Sequence, residues 1–265
     1  MRVDAVLVRD GLARSRRHAT ALIEAGRVVL DGRPVRRPSS PWAPGQVLSV
    51  SADDTDDGYA SRGAYKLAGA LDAFAVDPSG LRCLDAGAST GGFTDVLLRR
   101  GASSVVAVDV GHDQLVDRLR ADPRVEVHEG VNVRELVPGA FGAPPELLVA
   151  DLSFISLILV LPAFSAVVAA GAQLLVMVKP QFEVGRERLG SGGVVRSPQL
   201  RAEAVLAVGR RAEELGLGVL DVAASPLPGP SGNVEFFLRL RAGERSDEEW
   251  ERRVRDVVLV EEVRA

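Results

Sequence analysis

Beyond about residue 62 the chain alternates apolar runs with stretches of helical periodicity. Residues 81–86, 104–110, 124–128, 146–150 and 172–178 read as core strands. Helical patterns lie between and around them, at about 63–75, 91–100, 113–120, 157–170 and 198–215. Strands that alternate with helices argue for a parallel sheet covered on both faces. Two further strand-like runs, 218–223 and 234–240, are separated only by a turn at 225–232, which makes them an antiparallel hairpin. The pattern predicts an α/β body built on a seven-stranded sheet with an antiparallel last strand. A charged helix is expected over 246–263.

The first 50 residues carry shorter elements. Ala19, Leu22 and Ile23 fall at helical spacing, in a helix that Ser15 caps and Gly26 ends. Residues 27–30 read as a strand, Asp31-Gly32 as a two-residue hairpin turn, 33–35 as the start of the return, and 46–50 as a closing strand. A small α+β domain over 1–50 is the expectation. Residues 51–58 are polar and acidic and hold almost nothing that a core would bury. A linker is expected over 51–61 and the large domain over 62–265.

Residues 152–178 carry no charge over 27 positions, long enough to cross a bilayer. Pro162, Gly171 and Gln173 interrupt the run, and Gly171 stands where a helix stops and a strand begins. A buried helix followed by a strand buried on both faces gives the same pattern, and that is the reading adopted.

Composition sharpens this picture in three ways. The single cysteine, Cys83, and three scattered histidines exclude a disulfide framework and speak against a metal centre. No basic-then-apolar segment opens the chain, so a cytoplasmic protein is expected. Net charge is −4, yet residues 1–50 hold nine arginines against four acids while the rest of the chain holds 23 bases against 32 acids. A basic head on an acidic body calls for an anionic partner at the head. Arg2, Arg14, Arg16, Arg17, Arg33, Arg36 and Arg37 are the candidate phosphate contacts.

Asp85-Ala-Gly-Ala-Ser-Thr-Gly-Gly-Phe93 follows the first strand of the body and opens a helix. Its glycines allow close backbone approach to a ligand. Asp109, at the end of the next strand, is placed to bind ribose hydroxyls. A carboxylate at the strand tip repels phosphate and suits a cationic ligand such as S-adenosylmethionine. The strict G-x-G-x-x-G pattern of dinucleotide sites is absent. Gly87 to Gly91 also matches the G-x-S-x-G elbow of serine hydrolases, but no histidine occurs after His128 to complete a triad.

Of 32 basic residues only Lys66 and Lys179 are lysine. Arginine keeps its proton in proteins, whereas lysine can release it when buried or beside another cation. Lys179 ends a core strand, Asp151 ends the preceding one, Glu235 begins the last, and Lys66 lies on the helix entering the body. Charges gathered at strand ends mark a functional site more often than a structural one.

These residues resemble a known family. The head is similar to an S4 RNA-binding domain, and the body to a class I, Rossmann-like methyltransferase of the FtsJ type. Together they resemble the TlyA family, whose members also carry the name hemolysin. The motifs are Ser-Arg-Gly-Ala-Tyr-Lys66-Leu, the Asp85–Phe93 loop, Asp151-Leu-Ser-Phe-Ile-Ser, Val-Lys179-Pro-Gln-Phe and Gly-Asn-Val-Glu235. The resemblance implies methylation of cytidine 2′-hydroxyls in ribosomal RNA, of the small subunit, the large subunit or both. It assigns Lys66, Asp151, Lys179 and Glu235 to catalysis. It assigns Asp85, Gly87, Ser89, Gly91, Gly92, Phe93, Asp109 and Asn132 to S-adenosylmethionine, with no metal. Ribosomal RNA within ribosomal subunits is the implied partner, reached through Arg2, Arg14, Arg16, Arg17 and Arg36. Phe154 and Phe182 follow strand ends and are available for stacking, and the glycine- and arginine-rich 185–198 segment is a candidate lid. Two other readings stand beside this one: a membrane-active protein drawing on the uncharged 152–178 run, and a non-catalytic ribosome binder that uses the head alone.

Overall fold

The computed structural model describes residues 1–13, 16–24, 26–50, 58–229 and 232–264. The chain forms two compact units, Met1–Gly58 and Tyr59–Ala265.

In the smaller unit, helices α1 (Val3–Arg9) and α2 (Arg16–Glu24) pack with a three-stranded antiparallel sheet of β1 (Val28–Leu30), β2 (Arg33–Pro34) and β3 (Leu48–Val50), in the order β2-β1-β3. Helix α1 is not evident from the sequence pattern. Ala19, Leu22 and Ile23 are buried with Val3, Leu7 and Val28, as helical spacing requires. Asp31 and Gly32 both have positive φ, 48° and 78°, the conformation a two-residue turn between twisted strands demands. The Asp31 carboxylate then accepts from the Val47 N–H and from Gln46, which ties the long return to the turn. Ser15, expected as a cap, lies outside the described residues.

The larger unit is built on seven strands: β4 (Arg82–Ala86), β5 (Ser104–Asp109), β6 (Val125–Glu129), β7 (Leu147–Ala150), β8 (Gln173–Val178), β9 (Leu217–Ala224) and β10 (Phe236–Ala242). Their order is β6-β5-β4-β7-β8-β10-β9. Every pairing from β6 to β8 is parallel, and β10 runs antiparallel to both β8 and β9, so the last strand to be made enters between two earlier ones. Side chains alternate across the sheet. Leu84, Ala86, Leu148, Val176 and Leu238 face one core, with α6 (Leu161–Val167), α8 (Pro198–Glu214) and α9 (Trp250–Arg264). Cys83, Val149, Met177 and Phe237 face the other, with α3 (Gly63–Ala73), α4 (Gly92–Arg99) and the single turn α5 (Asp117–Arg120).

Three expectations change here, and one reading, the helix and strand within 152–178, holds. The strand at 124–128 is not a core strand: β6 ends the sheet and is only half buried. The helix expected over 113–120 shrinks to α5, because Asp113 adopts φ 53° and Gly111 donates its N–H to Asp109, which bends this stretch around a cleft. The linker expected to run to 61 does not: Ala60 is buried and donates its N–H to the Asp95 carboxylate at 2.8 Å, so Tyr59–Ser61 belong to the larger unit, while 51–57 lie outside the described residues. The uncharged 152–178 run resolves into a 3-10 turn, α6 with Pro162 in its first turn, a bend at Gly171 and β8. Among the described residues no helix is long and apolar enough to cross a membrane. The charged C-terminal helix α9 is amphipathic in effect, seating Trp250, Val254 and Val258 in the core, with Trp250 against Gly209 where a Cβ would lie 2.5 Å from the ring.

Candidate active site

Strand periodicity explains how four distant charges meet. Val149, Met177 and Phe237 all face α3 and α4. Two residues further on from Val149 and Met177, just past the strand ends, stand Asp151 and Lys179. Two residues before Phe237 stands Glu235. Alternation aims all three toward the face that carries Lys66 on α3.

Two ion pairs result. Lys66 Nζ lies 2.5 Å from Glu235 Oε2, and both side chains are buried. Lys179 Nζ lies 2.5 Å from Asp151 Oδ1 and donates to Ser153 Oγ at 2.9 Å. Burial of paired charges costs solvation that their attraction repays poorly, so such pairs are weak devices for stability alone. An ammonium has three N–H directions. Ser153 takes one of those on Lys179 and the Asp151 carboxylate lies against the ammonium as its counter-charge, which leaves room for a third group.

Beside the pairs a cleft of about 460 Å³ opens at the C-terminal ends of β4 to β7. Gly87, Ser89, Asp109, Asn132 and Asp151 line it, together with Val110, Gln114, Val131, Val133 and the run 152–155. Gly87 has φ 86°, and a Cβ there would strike the Asp151 carbonyl oxygen at 2.7 Å, so only glycine fits. The Asp109 carboxylate is fixed by two amides, Ser89 N–H at 2.8 Å and Gly111 N–H at 2.7 Å. Asn132 accepts from the Arg134 N–H and donates to Glu135, starting a short 3-10 turn.

The other four residues assigned to the cofactor do different work. Asp85 points with Cys83 into the α4 core, fully buried, accepting from the Thr94 hydroxyl at 2.7 Å. Its Oδ1 has no hydrogen-bond partner among the described residues. Burial pushes its carboxyl up to about 7, against the Thr94 hydroxyl and amide, which pull it down. Gly91 makes room for Leu119 and Leu115, whose methyls would lie 2.3 and 2.7 Å from a Cβ, and Gly92 makes room for Ser61 at 2.3 Å. Phe93 is buried and stacked on Phe237 at 6.2 Å. These residues shape the turn rather than the cleft wall.

The cleft still fits S-adenosylmethionine. Its wall carries two carboxylates, Asp109 and Asp151, the second already paired with Lys179, and neither lysine nor arginine. The carboxylate left uncompensated among the described residues, Asp109, suits hydroxyl donors and repels phosphate, and it is not the strand-tip Asp85 that does so. Valines at 110, 131 and 133 supply apolar surface for a purine.

Sequence reasoning missed Ser153, Gln114 and Val110. Ser153 stands two residues after Asp151 within the Asp-Leu-Ser-Phe motif, which is the only signal that points to it. Phe154 has φ 65° and is 91% exposed at the cleft mouth, with the Phe182 ring 5.4 Å away. The 185–198 segment expected as a mobile lid is fastened instead: Asn233 accepts from the Val195 N–H and donates to the Gly193 carbonyl, and Val184, Val195 and Ala204 form a small core of their own.

In the smaller unit Arg16, Arg33, Arg36 and Arg37 are exposed. Arg2 is engaged by Asp4 through two hydrogen bonds, which hold the Asp4 carboxyl below the usual carboxylate range. Arg14 and the side chain of Arg17 lie outside the described residues.

Residues 59–242 match the FtsJ-like methyltransferase family and residues 1–48 the S4 domain. The 16S/23S rRNA (cytidine-2′-O)-methyltransferase TlyA of Mycobacterium tuberculosis is 58% identical over 240 residues, spanning 91% of this chain and 89% of the relative. Hemolysin A of Brachyspira hyodysenteriae is 34% identical over 238 residues, 89% of this chain and 98% of the relative. A solved structure described as a hemolysin from Streptococcus thermophilus superposes with a TM-score of 0.80 at 36% identity, covering 100% of this chain and 97% of its own.

Proposed function

Because the chain belongs to the FtsJ-like methyltransferase family and carries an S4 domain, we propose that it methylates the 2′-hydroxyl of cytidine ribose in ribosomal RNA. Ribosomal subunits in the cytoplasm are its substrate. The observation that carries this reading is Lys179, held by Asp151 and Ser153 at the edge of a phosphate-repelling cleft, with a second lysine pair beside it.

S-adenosylmethionine, when bound, supplies a methyl group on a sulfonium centre that leaves as a neutral thioether. Gly87 would admit its close approach, and Asp109 would accept from its ribose hydroxyls. Val110, Val131 and Val133 would supply the apolar surface for the adenine, with Asn132 available as a polar contact.

The substrate hydroxyl meets Lys179 Nζ in its remaining direction, where the amine, having first given a proton to solvent, presents its lone pair. That lone pair receives the hydroxyl proton, the ribose oxygen takes the methyl group, and Asp151 and Ser153 stabilise the ammonium that results. Arginine cannot do this. Lys66, fixed by Glu235, contributes the second positive charge of the pocket and keeps the local field favourable to a developing alkoxide. Asp85 supports this machinery from beneath, holding the start of α4 through Thr94.

RNA is held by the head. Arg16, Arg36 and their exposed neighbours meet phosphates and set position rather than read sequence. A ribose inside folded RNA reaches a lysine this enclosed only after its nucleotide leaves the stack. Phe154, exposed at the mouth with Phe182 behind it, is the platform for that base.

The direct test is transfer of labelled methyl from S-adenosylmethionine to purified 30S and 50S subunits, followed by mapping of alkali-resistant linkages. Label confined to a cytidine ribose supports the reading. Label on a base, or none on either subunit, overturns it.

A further inference from the structure

Glu183 closes the single helical turn α7 (Pro180–Glu183) that starts immediately after Lys179. It does not line the cofactor cleft. Its carboxylate accepts two hydrogen bonds from the loop that follows β7: the Ser156 hydroxyl at 2.5 Å and the Leu157 N–H at 2.8 Å. Four residues earlier, at the extended position that caps this turn, Lys179 grips the other end of that loop, at Asp151 and Ser153. The turn and its capping residue therefore hold one loop at both ends.

The loop needs such holding. Between the two grips lies Phe154 at φ 65°, a backbone conformation that bulky side chains rarely adopt and that persists only when the surroundings fix it. Phe154 is 91% exposed, so its own packing does not fix it. Burial pushes the Glu183 carboxyl up, and the Ser156 hydroxyl and Leu157 amide draw it back. The group thus sits in a largely dry place whose polar partners are these loop donors.

We propose that Glu183 is a positioning residue for methyl transfer: it clasps the 151–157 loop so that Asp151 and Ser153 stay on Lys179 Nζ. The inference rests on the reading of Lys179 as the residue that meets the ribose hydroxyl. Glu183 touches neither the substrate nor the cofactor and acts through the loop alone.

The test uses the full chain and three variants, Glu183→Ala, Glu183→Gln and Ser156→Ala. Working sites are counted by calorimetric titration with S-adenosylhomocysteine, and kcat and KM are measured on ribosomal subunits. In Glu183→Ala, kcat per working site is expected to fall about 10- to 100-fold, the penalty of misplacing reacting groups by an ångström or so, while KM for RNA holds within about twofold because the head is untouched. Glu183→Gln keeps an acceptor oxygen and is expected to recover most of the loss. Ser156→Ala is a smaller change with a several-fold loss, and combined with Glu183→Ala it adds little, since both remove the same bond. Amide hydrogen exchange over 152–158 is read in parallel and is expected to quicken in Glu183→Ala.

Wild-type kcat per site in Glu183→Ala, or unchanged exchange in that loop, overturns the proposal. Should Glu183→Ala fail to fold, Ser156→Ala decides by the same two readings. A wild-type chain inactive on both subunits overturns the function proposed above instead, and exchange then still decides whether the clasp exists.

Discussion

Glu235 and Lys179 occupy the next positions beyond one ladder: Phe236 pairs with Val178, and the residues that follow toward the cleft are these two. Glu235 holds Lys66, and Lys179 is held by Asp151. The register of a single antiparallel pairing thus brings two ion pairs to one place, and sliding it by one residue would turn Glu235 to the opposite face.

Lys179→Arg preserves the charge and the contact with Asp151 but removes the group able to take a proton. Methyl transfer is expected to fall at least about 10²-fold, with S-adenosylhomocysteine binding retained because Lys179 does not line the cleft. Single-turnover transfer to ribosomal subunits measures the first, calorimetry the second. Turnover equal to wild type would exclude proton transfer at this residue.

Asp109→Ala strips the acceptor from the Ser89 and Gly111 amides and from the cofactor ribose together. Charged hydrogen bonds contribute about 1.5–3 kcal/mol each, so the Kd for S-adenosylmethionine is expected to rise roughly 10- to 100-fold. Equilibrium titration reads this without any RNA present, and an unchanged Kd would remove Asp109 from the cofactor site.

Phe154→Ala deletes a side chain that is already in water. Stability is expected to shift by no more than about 0.5 kcal/mol, while kcat/KM on ribosomal subunits drops at least about fivefold, the lower end of what a lost base stack of ~1–3 kcal/mol removes. Thermal melts and initial rates give the two numbers. A variant that melts as wild type and methylates as fast has no stacking role to lose.

Asp85 makes stability depend on pH in a direction unusual for an aspartate. Burial raises its carboxyl to about 7 in the folded chain, above the ordinary 3.8. Between those values the folded protein keeps a proton that the unfolded chain has released. Stability therefore falls as pH rises through this window and levels off above it. Asp85→Asn removes the titration, so the variant gains on wild type by on the order of 3 kcal/mol between pH 4 and pH 8. Denaturant melts at several pH values measure the gap, and a gap constant with pH would contradict the assignment.

Much of this architecture is legible in the chain. The seven strands, the antiparallel last strand and the Asp31-Gly32 hairpin follow from periodicity and turn chemistry, which act locally. What was not legible depends on tertiary position. Nothing in residues 124–128 tells that β6 lies at the sheet edge. Asp85 reads as a strand-tip ligand because its parity relative to Cys83 becomes meaningful only once α4 is known to cover that face. Gly91 and Gly92 look like cofactor glycines, yet what they make room for is Leu119 and Ser61. Ser153 and Glu183 are invisible for the same reason: each matters through a partner about 26 residues away that only the fold reveals. The lysines were legible because this composition makes lysine rare.

The bond between Lys66 and Glu235 joins positions 169 apart. Residue 235 leads directly into the strand that slots in last, between two already made. During synthesis the site is therefore unfinished until β10 has left the ribosome. A fragment ending before β10 would have the cleft residues of β4 to β7 but an open edge on β8 and an uncompensated ammonium on α3, a combination that invites pairing with foreign strands. Competence for chemistry is thus coupled to the arrival of β10, and products truncated before it are expected to be aggregation-prone rather than partly active.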